Sequence, residues 1–284
     1  MKRRRFLHVL AAAMAFPARA DTLWRGRAFG ADLVIQTDGP APMRAILSEI
    51  AAIEAAFSLM ADSELTRLNA RGQAPGSARM RAVLAQAAQV HAATGAAFDP
   101  TVQPLWQALA QGGDGRVARG RIGFDRLRIG RDIRLAPGQA LTLNGIAQGH
   151  AADRIRAICA AQGLRHALID MGEFAAIGGA FRLGIEDPQT GLLGWRSLTG
   201  GAMATSSPAA LSLPGGSHIL GPRGEVPLWS TVTVQGPEAA ICDAASTAFV
   251  LMPEPAIRKA AAALGLWSVL LVDAAGDLRE IALT

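Results

Sequence analysis

The 284 residues are half hydrophobic and 18% charged, with a mean hydropathy of +0.24. That composition builds a core and excludes a disordered chain, and at this length one large domain or two interleaved lobes is expected. The formal charge is +5, but Lys2, Arg3, Arg4, Arg5 and Arg19 account for it, leaving 23 basic against 23 acidic residues over 21–284. A basic nucleic-acid footprint is therefore absent from the body of the chain. Lys259 is the only lysine after Lys2, which argues against a P-loop or a Schiff-base enzyme.

The first twenty residues read as an address. A basic run precedes the apolar stretch Phe6 to Phe16, then Pro17 and Ala18-Arg19-Ala20, the pattern of a cleaved bacterial export signal. Arg3-Arg4-Arg5-Phe6-Leu7 fits the twin-arginine form, which carries folded proteins and predicts a periplasmic location. No later segment approaches 18 unbroken apolar residues, so no transmembrane segment is expected in the mature chain. Cys159 and Cys242 lie far apart in separate helical patterns; buried free thiols are expected, although an oxidising compartment would allow pairing.

In chain order, Ala31 to Gln36 predicts a strand ended by Thr37-Asp38-Gly39-Pro40. A helix from about Pro42 puts Met43, Ile46, Leu47, Ile50, Ile53 and Phe57 on one face. Asp62-Ser63-Glu64 opens a short helix, and Ser77 to Thr94 a long one stopped by Gly95. Residues 124–134 and 140–143 predict short strands, and Asn144 a cap for a helix through Ala161, closed by Gly163. His166 to Met171 predicts a buried strand, with two more over 174–186 around Gly178-Gly179. Further strands are expected at 195–199 and 229–235. A helix from about Pro237 to Leu251 and another at 254–264 precede a hairpin, Trp267 to Asp273 with Asp277 to Leu283. Helices and strands mix without a βαβ rhythm, so the class is α+β.

Four segments could do chemistry. Asp243 and Thr247 are four apart and share a helical face, with Ser246 beside them. A carboxylate and hydroxyls suit Mg²⁺, although an acid near a helix N-terminus is more often dipole compensation. Leu141 to His150 joins a strand to a helix through Gly145 and Gly149, a junction that can present amides to a phosphate or simply pack. Asp99, in Phe98-Asp99-Pro100-Thr101-Val102, could cap the next helix or bind a ligand. The segments 204–208 and 217–224 look like loops, and His218 with Arg223 could meet a phosphate. Ser206, Asp243 and His218 make no hydrolase triad without a GxSxG elbow.

Taken together and in order, these segments resemble the ApbE family, the FAD:protein FMN transferases. The matching pieces are Phe57-Ser58 through Asp62-Ser63-Glu64-Leu65 and Leu68-Asn69, Gly95 through Val102, Gly145-Ile146-Ala147-Gln148-Gly149 with Asp153-Arg154, Ala204-Thr205-Ser206, His218-Ile219, and Asp243-Ala244 with Thr247-Ala248. The export signal and the wording of 143–149 are similar to the NosX branch, associated with nitrous oxide reductase maturation. The resemblance implies an α+β fold of two interleaved lobes with a flavin cleft between them. It also implies Mg²⁺ on the FAD pyrophosphate and transfer of FMN to a threonine or serine of a membrane-associated, NosR-like acceptor flavoprotein, with AMP leaving. By resemblance, Asp243, Thr247 and the Gly145 carbonyl would hold the metal with Ser246 beside them. Ala97, Phe98, Asp99, Thr142 and Gln148 would line the FAD site, and His218 would lie near the phosphates, helping to deprotonate the hydroxyl or simply binding.

This sequence departs from the family pattern at several positions. Gln148 stands where most members have lysine, Thr142 where the strand usually has aspartate, and Gly221 where His-x-x-Asp-Pro has its acid. Phe29-Gly30-Ala31 replaces Met-Gly-Thr, and Leu59 or Met60 replaces a frequent aromatic. These departures keep open a non-catalytic flavin carrier or assembly factor, and a hydrolase splitting FAD to FMN and AMP.

Overall fold

The computed structural model describes residues 22–283; the expected export signal lies outside the described residues. Strands β1 (Thr22–Ala28) and β2 (Ala31–Thr37) close on Phe29-Gly30, whose φ angles are 53° and 77°. Two positive φ values give the type I′ turn that suits strand twist, although a phenylalanine there is strained. Its amide is held by Glu54 Oε1 at 3.1 Å.

Six further strands follow: β3 (Ala167–Asp170), β4 (Phe174–Ile177), β5 (Gly201–Ser206), β6 (Thr231–Gly236), β7 (Ser268–Val272) and β8 (Leu278–Ala282). They lie in the sheet in chain order from β1 to β8, every neighbour antiparallel. The helices are insertions into this meander, the segregation that defines an α+β domain. Between β2 and β3 run α1 (Met43–Phe57), α2 (Glu64–Arg71), α3 (Ala78–Ala93), α4 (Gln103–Ala110) and α5 (Ala147–Ala161). Between β6 and β7 run α6 (Ala239–Phe249) and α7 (Glu254–Ala263).

One face of the sheet packs on helices through a large core that includes Ile35, Ile46, Leu84, Ile155, Val234 and Phe249. The hairpin Phe181–Asp187 with Gly191–Leu198 supplies a second cluster, in which Phe181, Leu183, Ile185 and Leu198 meet Leu168, Phe174, Met203 and Leu270. Strands sandwiched in this way read as apolar runs, as β3 and β4 do, whereas β6 alternates valine with buried threonine. A small separate sheet joins Gln73–Pro75, Asp132–Arg134 and Arg128–Ile129.

Helix α6 is central: ten of its eleven residues are buried, among them Asp243 and Ser246. Such a helix is held by tertiary packing all round. It approaches α5 so closely that a Cβ on Gly149 would run into the Ala239 carbonyl and stand 2.8 Å from Ala240 Cα. Asp153 of α5 completes the joint, its carboxylate accepting the amides of Ala239 and Ala240 at 2.9 Å each. Glu238, which precedes α6, makes no side-chain cap. The capping group comes from another helix, which sequence alone does not reveal. Both cysteines are free and buried, as expected.

Several expectations need correction. Residues 140–143 form no strand. Asn69 supplies the missing partner, its side chain bonding the Leu141 amide at 2.7 Å and carbonyl at 2.8 Å. Asn144 is exposed in a turn and caps nothing; α5 starts at Ala147 without a side-chain cap. Gly163 does close α5, in the left-handed conformation. Residues 124–134 split into a 3₁₀ turn and two short strands. Leu47 is 45% exposed, because at the boundary of the α1 stripe the core prefers Ile46 and Ile50. Residues 204–206 belong to β5 rather than to a loop.

Candidate active site

The site forms where the turn before α5 meets the middle of α6 and the ends of β3 and β5. Gly145 lies in that turn, and a Cβ there would stand 3.0 Å from Thr247 Oγ1 and 3.4 Å from Phe98 Cε2. The glycine therefore keeps a cradle open between a hydroxyl and an aromatic edge. One turn back along α6, Asp243 Oδ2 accepts the Gly149 amide at 3.1 Å. Ser246 is fully buried, bonded to Ser206 Oγ at 2.8 Å and donating to the Asp243 carbonyl at 2.9 Å. Its oxygen is spent inside the protein, so Ser246 holds the α6 turn in place instead of facing the cradle. Ser206 Oγ also reaches Thr247 Oγ1 at 3.4 Å.

Two acids here were not singled out from sequence. Asp170 ends β3 and Glu173 follows after Met171-Gly172. Asp170 Oδ1 accepts the Gly172 amide at 3.0 Å, and Glu173 Oε2 accepts the Thr205 amide at 3.0 Å. Burial pushes the Asp170 carboxyl up to about 7, against the lowering effect of that amide. Burial and the neighbouring Asp243 charge push Glu173 well up, and burial raises Asp243. Asp170, Glu173 and Asp243 have no arginine or lysine paired with them among the described residues. Three acids near one another without a cation hold their protons more tightly than free carboxyls, and a cation brought among them would favour their ionised forms. The sequence shows only an apolar strand that ends in an acid, with a second acid across a glycine turn, a pattern with no signature of its own.

Gln148 lies over that turn, where a Cβ on Gly172 would meet its amide. Phe98 is buried, its carbonyl 2.8 Å from His91 Nδ1 and its amide 3.2 Å from Thr94 Oγ1. Ala97 is buried beside it, after Gly95 and Ala96, both left-handed at φ 57° and 67°. Asp99 is a cap: Oδ1 accepts the Thr101 amide at 2.8 Å and hydroxyl at 2.6 Å, and Oδ2 the Phe124 amide at 3.1 Å. Both oxygens hold the loop in shape. Thr142 Oγ1 accepts the Asn144 amide at 3.2 Å, and its own amide binds the Pro100 carbonyl at 2.9 Å, which ties the two halves of the cradle together. His218 lies on the loop after β5, Nδ1 2.9 Å from the Leu211 carbonyl. A carbonyl only accepts, so Nδ1 carries the proton and Nε2 is the basic nitrogen. Burial lowers the imidazole pKa, the Leu211 and Pro208 carbonyls opposing.

Among the described residues no three His, Cys, Asp or Glu side chains are arranged to hold a metal. A cation here would draw on the Asp243 carboxylate, the Thr247 hydroxyl and a main-chain oxygen at Gly145. That all-oxygen set, in an acid-rich pocket short of protein ligands, fits Mg²⁺ with its preference for waters and phosphates. An antiparallel α+β domain with a glycine-cradled oxygen cluster is a framework for handling a phosphate-bearing ligand.

The family follows from the whole chain. The ApbE family model matches residues 22–270, and the chain belongs to that family. No curated protein sequence is significantly similar to it. Among solved structures it is similar to the ApbE protein of Thermotoga maritima, at 23% identity and TM-score 0.80, over 91% of this chain and 96% of that one. It is similar to the apo flavinyl transferase ApbE of Pseudomonas stutzeri, at 24% identity and TM-score 0.79, over 92% and 94%. The flavin transferase ApbE of Vibrio cholerae matches at 22% identity and TM-score 0.76, over 92% and 96%. At such identities the likeness establishes the fold. No helix among the described residues is long and apolar enough to cross a membrane.

Proposed function

We propose that this chain is an Mg²⁺-dependent FAD:protein FMN transferase, acting in the periplasm on a membrane-associated redox protein. The observation that carries the reading is the cradle of Gly145, Thr247 and Asp243 beside two further uncompensated acids. In the reaction a threonine or serine hydroxyl of the acceptor attacks the FMN phosphorus. The bond from that phosphorus to the bridging oxygen breaks, and AMP leaves. When bound, Mg²⁺ would neutralise the charge that builds on the diphosphate oxygens. Asp243 and Thr247 would hold it with the Gly145 carbonyl. Phe98 and Ala97 would wall the flavin side, and Thr142 and Asp99 would keep that wall in register with the cradle. Nε2 of His218, neutral at pH 7, would take the hydroxyl proton. The basic run and apolar stretch of residues 1–20 support export, and the wording of residues 143–149 supports a NosX-like role with a NosR-like acceptor.

The test is incubation of the purified chain with FAD, Mg²⁺ and a candidate acceptor domain. FMN joined covalently to the acceptor, with one AMP released, is the expected result. Free FMN with AMP would mean that water is the acceptor. Intact FAD would favour the second reading, a non-catalytic flavin carrier, whose supporting observation is the uncharged Gln148 amide facing Gly172.

A further inference from the structure

A cavity of about 960 Å³ lies between α2, α4, the one-turn helix Arg116–Arg119 and the small three-stranded sheet. It is separate from the carboxylate cradle. Arg71, Arg121 and Arg134 line it, and all three are exposed and in no ion pair among the described residues. Its single acid, Asp114, is already paired with Arg116 at 2.8 Å. Residues 116–134 hold seven arginines against Asp125 and Asp132. The neutrality of residues 21–284 therefore conceals a local excess of arginine, of which Arg121 and Arg134 reach this cavity with Arg71.

The backbone concentrates that charge. Arg134 is the cross-strand partner of both Gln73 and Arg128, so two guanidinium side chains stand opposite on adjacent strands, an arrangement that costs stability. Arg121 lies across Gly138, where a Cβ would stand 3.0 Å from its Nε. The exposed amides of Gln73, Gln107 and Gln111 complete the lining. Guanidinium groups are suited to bidentate pairing with carboxylates, and side-chain amides both donate to and accept from an extended main chain. A concave groove fits a strand-like polypeptide better than a flat membrane surface.

From this we infer that the groove docks an acidic, extended segment of a partner protein. The inference stands apart from the flavin reading, since it uses none of the cradle residues. The lining ends at Gln139 and Ala140, which lead along the chain to Leu141 and Thr142, so a docked segment would bring its parent protein towards the cradle.

The experiment follows the fluorescence anisotropy of a labelled ten-residue glutamate-rich peptide titrated with the full-length chain. At 20 mM NaCl the peptide binds, at 300 mM NaCl it weakens, and the variant R71E/R121E/R134E binds about 10- to 100-fold less tightly. The same variant keeps wild-type FAD binding and melting temperature, which separates failure here from failure of the transferase reading. Equal peptide binding by variant and wild type overturns the inference, as does no binding to either. Arginine-dependent binding to phosphatidylglycerol vesicles without peptide binding also overturns it, and so does equal displacement of the peptide by millimolar inorganic phosphate.

Discussion

Gln148 lies against Gly172, so that a Cβ on the glycine would stand 2.9 Å from the amide carbon. That contact puts the first turn of α5 directly over the Asp170–Glu173 turn. It also places a neutral amide where the family pattern has an ammonium, next to carboxyls that burial raises.

Gln148→Lys therefore restores a cation to an acid-rich pocket. AMP release from FAD is expected to rise about 10- to 100-fold, the scale of one charge contact to a developing phosphate charge. Single-turnover AMP measurements check it. An unchanged rate would mean that the ammonium is consumed by Asp170 and Glu173.

Asp243→Asn keeps the shape of the side chain and can still accept from the Gly149 amide. Divalent-dependent FAD cleavage is expected to fall about 100- to 1000-fold with little change in melting temperature. A titration of AMP release against Mg²⁺, with chelator as the zero point, reads this directly. Wild-type turnover at limiting Mg²⁺ would contradict a ligand role for Asp243.

Gly149→Ala acts on packing alone. The new methyl meets the backbone of Ala239 and Ala240, which cannot swing aside, so α5 and α6 must separate. A loss of about 2–3 kcal/mol is expected, or a melting point lower by about 5–10 °C. Calorimetry on the variant decides it, and an unaltered transition would show that the helices slide freely.

Glu49 ties three helices by pairing with Arg79 at 2.6 Å and Arg154 at 2.9 Å. The Arg79 hydrogen bond lowers its carboxyl to about 2 from 4.5, with burial opposing and Arg154 assisting. A depressed folded value adds stability that is complete above the unfolded pKa and drains away as pH falls from 4.5 towards 2. Glu49→Gln should cost about 2 kcal/mol at pH 7 and progressively less below pH 4.5. Urea unfolding at pH 7 and pH 3 compares the two; a constant gap would remove the linkage.

Much of the fold was legible because periodicity and caps are local. Ser63 and Ser77 cap their helices as their positions implied, and the β7–β8 hairpin lies where its turn residues put it. What escaped was supplied from a distance. Asn69 stands in for a strand at Leu141, and Asp153 caps a helix 86 residues away. The pairing of Asp243 with Gly149 across 94 residues is equally invisible to spacing. Helical spacing placed Asp243 and Thr247 on one face, but the buried fate of Ser246 depended on Ser206 of β5. Glu173 was missed because a lone acid after a glycine turn has no local signature; its significance comes from the company it keeps in space.

The joint made by Asp153 has a consequence for ion affinity. By fastening the start of α6 to α5, it ties the helix that carries Thr247 to the helix that follows the Gly145 turn. A cation held there, as proposed, would meet groups already brought together by that joint, so its affinity would owe more to desolvation and charge than to chain entropy.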